Sequence, residues 1–253
     1  MTYCIFSDLR HYDIKGGDEH IGKLHDIYLD DQTWQIKWFV VETGNWFSSN
    51  KILLDSQKII SISPKEASIQ VALTQKEVEN APSASEHVPV SDQHNDAYRY
   101  IAASHNTLLF PGYAGLMMPT TLIELPEARP EAEQDLEAVV RNETDRHLRS
   151  AGEIDGYTIL ASDGKLGPLS DLVINTSTWS IELLALDTSK WLPGKTVVIA
   201  PLSIERISWE EREIRVKMDK ETLENSPELS SLKAIETSYL SRLNEYYRFP
   251  MVY

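Results

Sequence analysis

The chain has 253 residues, of which 42% are hydrophobic and 25% are charged, and these values are typical of a folded protein with a real core. Its formal charge of −15 argues against nucleic acid and against anionic membrane surfaces as partners, because both attract clustered lysine and arginine. Much of the acidity is local, since 13 acidic residues outnumber 5 basic ones between Ser83 and Leu160.

The N-terminal segment and the cysteine usage predict a cytoplasmic protein. Cys4 is the only cysteine, which excludes a disulfide within the chain and a zinc site built on several thiolates. The first residues lack the basic region and apolar run of a signal peptide. The most apolar stretch, 108–125, is interrupted by glycines and prolines, so we expect no membrane insertion.

The first third of the chain predicts short strands separated by turns. Residues 24–29 form a strand, 30–33 a turn, and 34–43 a longer strand in which Ile36, Trp38 and Val40 alternate with polar residues. Further strand signals cover 51–54, 59–62 and 68–73. About five strands at this spacing predict a small closed or nearly closed sheet.

A short helix follows these strands. Thr74 and Glu77 have the spacing of a capping box, and Pro82 lies just beyond the last turn. After it, the acidic connector contains a predicted loop at 109–115 and a predicted short helix at 131–141.

The pattern then repeats at an offset of 145 residues, the separation of Trp34 and Trp179 (179 − 34). About 65 residues superpose without a gap, and about a quarter of them are identical, which identifies a duplication. The identical pairs include Asp18/Asp163, Gly22/Gly167, Leu24/Leu169, Asp26/Asp171, Thr43/Thr188, Trp46/Trp191, Ile59/Ile204, Ile69/Ile214 and Pro82/Pro227.

The end of the second copy predicts two helical segments. Asp219 takes the helix-cap position and Pro227 the stop. Beyond it, 228–248 carries apolar residues at helical spacing, and we expect this amphipathic face to pack on its own barrel. Residues 95–100 also show a weaker sequence similarity to residues 244–249.

The repeated residues resemble those of the PRC-barrel family. The first copy resembles it in residues 21–31, Trp34, 39–43 and Trp46, and the second in 163–167, Asp171, Trp179 and 186–195. The resemblance implies a small β barrel of the kind found in the cytoplasmic part of the photosynthetic reaction centre H subunit. Since such relatives act through protein contacts, it also implies a role other than catalysis.

Physical arguments assign most repeated residues to structure. We expect Gly22 and Gly167 to permit a tight bend, and Asp26 and Asp171 to accept backbone hydrogen bonds near a turn. Trp34 and Trp179 are expected to cover the barrel ends. By contrast, Trp46 and Trp191 follow strands in predicted loops and are the better candidates for interface anchors.

The chain has no phosphate-binding glycine loop, nucleophile elbow or H-E-x-x-H pair. One cluster has metal-ligating residue types, namely Asp18, Glu19, His20, His25 and Asp26. Lys165 and Ser170 replace the two histidines in the second copy, so a solvated turn is the favoured interpretation, and we assign no catalytic, cofactor-binding or metal-binding residue.

The sequence therefore predicts a mainly β protein with two PRC-barrel-like domains, 1–82 and 146–227, an acidic helical or loop connector, 83–145, and a C-terminal amphipathic helix, 228–253. We expect a non-enzymatic interaction or assembly module without a cofactor, whose protein partner is unidentified. The two copies are expected to form an intramolecular pseudo-dimer or a homo-oligomer. Two alternatives stay open: a metal-dependent or ligand-binding protein using Asp18, His20 and His25, and an accessory protein of a membrane complex.

Overall fold

A computed structural model describes residues 3–44, 51–78, 80–85, 87–91, 147–190 and 192–248. The first unit begins with a strand and a short helix, followed by the strands of its sheet. These elements are β1 (Tyr3–Ile5), α1 (Phe6–Leu9), β2 (Asp13–Gly16), β3 (Glu19–Asp30), β4 (Ile36–Thr43), β5 (Lys51–Asp55), β6 (Ile59–Ser63), β7 (Ser68–Val71) and α2 (Gln75–Val78).

The second unit repeats this order and then adds a helix. Its elements are β8 (Leu148–Ser150), α3 (Ala151–Ile154), β9 (Thr158–Ala161), β10 (Gly164–Asn175), β11 (Ser180–Leu186), β12 (Val197–Ile199), β13 (Ile204–Ser208), β14 (Glu213–Val216), α4 (Lys220–Glu224) and α5 (Thr237–Tyr247). Single 3₁₀ turns occupy Ser56–Lys58, Pro201–Ser203 and Leu232–Ala234.

Each unit builds a sheet with the same strand order. The first sheet runs β5-β4-β3-β2-β7-β6, and the second runs β12-β11-β10-β9-β14-β13. In both, the pairings are antiparallel except for one parallel pair, β2 with β7 or β9 with β14. The mainly β fold and the duplication predicted from the sequence are confirmed. The bounds of the four segments predicted from the sequence stay predictions.

The seventh strand of each sheet comes from the other unit. β1 pairs with β10, setting Cys4 opposite Ile174, and β8 pairs with β3, setting Arg149 opposite Leu29. The two pairings are equivalent at the 145-residue offset, so the units exchange their first strands reciprocally. An isolated bridge between Gln35 and Ser180, also equivalent positions, lies where the two units meet.

One hydrophobic core joins the two units. Its buried members come from both halves of the chain and include Phe6, Phe39, Ile154, Tyr157 and Ile174. A second cluster holds α5 against the outer face of the second sheet through Tyr239, Leu240 and Leu243. The expected packing of this amphipathic helix on its own barrel is confirmed. Because the central core is shared, separating the units would expose apolar surface on both.

Several local predictions are confirmed. Thr74 and Glu77 form the expected capping box, with the Thr74 amide donating to the Glu77 carboxylate over 2.8 Å. Asp219 caps α4 by accepting from the Thr222 amide at 2.8 Å. Three sequence predictions lie outside the described residues: the loop at 109–115, the helix at 131–141, and the segment 95–100 that resembles 244–249.

Two predicted elements begin later than expected. The strand predicted from Trp34 begins at Ile36, because Trp34 closes the preceding turn in the left-handed conformation (φ 59°). The helix predicted over 228–248 begins only at Thr237. Before this helix, Leu229 forms an isolated β-bridge with Thr196. The Ser231 hydroxyl accepts from the Lys233 amide, and this hydrogen bond caps a 3₁₀ turn in place of the predicted helix.

The expected role of Gly22 was wrong. Gly22 lies inside β3 rather than at a tight bend, directly opposite Thr43 of β4. A Cβ at this position would come within 2.3 Å of the Glu42 carbonyl oxygen. Glycine is therefore required by the close approach of the neighbouring strand.

The left-handed tryptophans generate a prediction about stability. Trp34 and Trp179 have φ values of 59° and 52°, and a bulky residue in this region is strained by about 1–2 kcal/mol. We expect Trp179→Gly to be more stable than Trp179→Ala by about 1 kcal/mol, because glycine adopts this conformation without strain.

The measurement is the free energy of unfolding in urea for both variants. Trp38, inside β4, is the matched control, and there the alanine variant should be the more stable because glycine weakens a strand. An alanine variant that is also the more stable at Trp179 would contradict the strain argument.

Candidate functional site

Asp26 joins the first unit to the helix of the second. Its Oδ1 accepts from the Ile27 amide at 2.7 Å and from the Gly152 amide at 2.9 Å, while its Oδ2 accepts from the Ser150 hydroxyl. Ser150 and Gly152 stand at the start of α3, so a side chain of one unit caps a helix of the other. Burial raises the pKa of Asp26, and the three hydrogen bonds oppose this rise.

Asp171 makes the equivalent contacts in the opposite direction. It accepts from the Leu172 amide at 2.8 Å, from the Ser7 amide at 3.1 Å and from the Ser7 hydroxyl. Ser7 lies in α1 of the first unit. The expectation that both aspartates accept backbone hydrogen bonds is confirmed, but half of these bonds cross between the units.

The two left-handed tryptophans exchange backbone hydrogen bonds at the same junction. The Ile36 amide donates to the Trp179 carbonyl at 2.7 Å, and the Ile181 amide donates to the Trp34 carbonyl at 2.8 Å. The Trp179 ring also packs edge-on against Phe39, with 5.1 Å between centroids. The prediction that these residues cover the barrel ends was therefore wrong, because both lie between the units.

Beside this junction, equivalent positions have diverged. On one side, Arg149 Nε donates to Asp31 Oδ2 at 2.6 Å and His147 Nδ1 lies 2.9 Å from Asp31 Oδ1. The Arg149 and Asp31 side chains are only 10% and 11% exposed. At the 145-residue offset, Cys4 replaces Arg149 and Thr176 replaces Asp31, so the other side holds no such ion pair.

The side with Cys4 contains an open groove of about 210 Å³. It lies between β6 of the first unit and the β1–β10 pair, and its lining residues are Cys4, Ile59, Ile60, Ser61, Ile62, Pro64, Thr176 and Trp179. None of these residues is acidic or basic. Burial raises the pKa of the Cys4 thiol, and the nearby Asp8 carboxylate adds to the rise, so the thiol stays protonated at neutral pH.

The histidines of the metal-binding alternative have other partners. His20 Nε2 lies 3.2 Å from Asp13, and the Lys51 ammonium donates to His25 Nε2 at 2.8 Å. Burial, and then the Lys51 charge, lower the pKa of His25. Asp18 is exposed. Within the described ranges, no three histidine, cysteine, aspartate or glutamate side chains are grouped so that they could hold a metal ion.

The two predicted interface tryptophans, Trp46 and Trp191, lie outside the described residues. The sequence reasoning missed the groove and the strand exchange. A partial signal was present, because the same 145-residue offset extends upstream to Tyr12/Tyr157 and Ile14/Ile159. These identities stop at Tyr12 and Tyr157, so they do not reach the exchanged strands β1 and β8, which share no identical pair.

Comparison with protein families agrees with this architecture. Residues 4–73 match the PRC-barrel domain, so the first unit is a PRC-barrel domain, as the resemblance implied. The second unit lies outside this match but repeats the strand order of the first. No curated protein matches the chain. In the part of the chain that the structure describes, no helix has the length and apolar character needed to cross a membrane.

The buried Asp26 generates a prediction about pH. Because its pKa is raised on folding, the folded state binds this proton more tightly than the unfolded state, and the carboxyl favours folding less as pH rises from its ordinary value of 3.8 through the raised folded pKa. Asparagine does not titrate, so the stability of Asp26→Asn relative to the natural protein should increase over this interval.

Urea unfolding of both proteins between pH 4 and pH 8 measures the difference. Asp18→Asn, the same change of carboxylate to amide at an exposed position, is the matched control. A relative stability of Asp26→Asn that falls as pH rises would mean that the buried carboxylate favours the folded state instead.

Proposed function

We propose that the chain is a non-enzymatic interaction or assembly module, in which two fused barrel units present one rigid surface to a protein partner. The observation that carries this proposal is the use made of the repeated side chains. Asp26, Asp171, Trp34 and Trp179 are retained in both copies, and all four connect the units. These four retained residues thus maintain the contact between the units, while neighbouring positions such as Arg149 and Cys4 diverged.

The metal-binding alternative has weaker support. His20 and His25 have no histidine counterparts in the second copy. In the first copy, His20 contacts Asp13 and His25 contacts Lys51, so the two histidines have different partners. No observation on the described residues favours the membrane-complex alternative over other protein partners. We propose a cytoplasmic location on the basis of the single cysteine.

The proposal predicts a stoichiometric protein partner and no bound metal. Intact tagged protein should be cross-linked in its native cells, and the captured protein should then be purified and mixed with this chain. We expect a defined complex in sedimentation velocity. Elemental analysis of the chain, purified without added metal, should find far less than one metal ion per molecule.

Two results would contradict this function. One is stoichiometric metal that is lost in the His20→Ala/His25→Ala variant but kept in a His11→Ala control. The other is the absence of any captured protein that forms a complex with the purified chain.

A further inference from the structure

The outer face of the first sheet carries an apolar cluster that has a counterpart on the second sheet. At the 145-residue offset, each residue of this cluster corresponds to a member of the cluster that holds α5. The pairs are Tyr28/Val173, Trp38/Leu183, Val40/Ala185, Leu53/Val198, Ala84/Leu229 and Leu148/Tyr3. The two sheets therefore have equivalent apolar outer faces, and a helix covers the second.

The first outer face is buried as deeply as the second. Val40 and Leu53 are each 1% exposed, against 1% for Ala185 and 0% for Val198. On the second sheet, α5 provides this cover. An apolar sheet face is stable only when another layer packs on it, so the first outer face also requires a covering element.

After α2, the chain is led along β5 to this face. The Leu53 amide donates to the Pro82 carbonyl at 2.9 Å, which holds the chain beside β5. The His87 ring then stacks on Trp38, with 5.4 Å between the ring centroids. The segment that leads to α5 takes the same route in the second unit, where Leu229 forms its β-bridge just before β12.

A helix begins three residues after His87. Val90 and Ser91 have helical backbone conformations, and both are buried. The Ser91 hydroxyl also donates to the Glu153 carboxylate of α3, which fixes the start of this helix against the second unit. Residues 92–146 lie outside the described part of the chain.

The sequence that follows Ser91 resembles α5. At an offset of 149 residues, 95–100 resembles 244–249, and Tyr98 corresponds to Tyr247, which packs against the second cluster. The same offset places Val90 and Ser91 at the positions of two buried residues of α5, Tyr239 and Leu240. The offsets of 145 and 149 differ by about one helical turn, so the same side of the helix faces the sheet.

We propose that residues 92–101 continue the helix that begins at Val90 and cover the first outer face, as α5 covers the second. The Tyr98 ring packs on the first sheet at the place that Tyr247 takes on the second. The occupant is this chain's own segment, because the start of the helix is already held beside the face. A second copy has no α5 to offer, since its α5 is held on its own second sheet.

This inference does not depend on the proposed interaction function, because a covered outer face would serve any function of the chain equally. It does restrict where a partner could bind. With a helix on each sheet, neither outer face belongs to the surface that the two units present.

Hydrogen exchange of the intact protein, followed by mass spectrometry, tests whether the helix forms. We expect the amides of residues 93–101 to exchange at least about tenfold more slowly than in a synthetic peptide of the same sequence. Tyr98→Asp should remove most of this protection, because it places a charge against the apolar face.

The matched control is Tyr100→Asp, which makes the same change two positions along, on the side of the helix turned away from the sheet. It should keep the protection of 93–101. Exchange in β10 and β11, which should be unchanged in both variants, shows that they remain folded. Unprotected amides over 93–101 in the natural protein, or an equal loss of protection in the two variants, would overturn the proposal.

Nuclear Overhauser effects between methyl groups and aromatic rings test where the helix docks. In the intact protein with labelled methyl groups, we expect contacts from Val40 and Leu53 to the Tyr98 ring. A mixture of two differently labelled samples separates contacts within one chain from contacts between chains. Contacts of these methyl groups with a different part of the sequence, or with Tyr98 of a second chain only, would overturn the proposal.

Discussion

The fold depends on the pairing that the long strands β3 and β10 require. β3 has 12 residues, and β4 covers one of its edges, but β2 covers only the first part of the other edge. The far end of that edge, Tyr28 to Asp30, is covered by β8 from the second unit. Buried backbone groups need hydrogen-bond partners, so each unit completes its sheet only with a strand of the other.

This constraint explains why the repeated residues are where they are. The first strand of each unit must reach across and then turn back into its own sheet, and α1 and α3 make that turn. Asp26 and Asp171 hold the starts of these helices, and the carbonyls of Trp34 and Trp179 connect the β3–β4 hairpin with the β10–β11 hairpin. The result is one body with an approximate twofold relation between its halves, in one chain.

A duplicated body offers two equivalent outer sites, and here they differ in charge. The side with Arg149 and Asp31 carries a largely buried ion pair, while the side with Cys4 and Thr176 has an open, uncharged groove. A homodimer would have to carry the same residue at both places. Fusion in one chain removes this restriction, which allows one site to specialise for a partner while the other remains structural.

The sequence predicted the local elements well, because alternation, capping residues and the 145-residue repeat are encoded in neighbouring positions. It placed Trp34 at the start of a strand rather than in the turn, and it did not predict the contact of Trp34 with the other unit, because that contact depends on tertiary packing. The tight bend assigned to Gly22 was wrong for the same reason, because only the paired β4 shows the close approach of Glu42. Three-residue strands such as β1 give no detectable pattern, and the exchange therefore became visible only in three dimensions.

The most direct test of the reciprocal exchange is a disulfide across one exchanged strand. Cys4 lies directly opposite Ile174, and facing residues of antiparallel strands are close enough for such a bond. Under mild oxidation, Ile174→Cys should form an intramolecular disulfide, seen as a loss of about 2 Da in a monomeric chain by intact mass, from its two thiol hydrogens. Leu172→Cys, two residues away on the same strand, should not. Failure of Ile174→Cys to form the bond, or bonding only between chains, would contradict the exchange within one molecule.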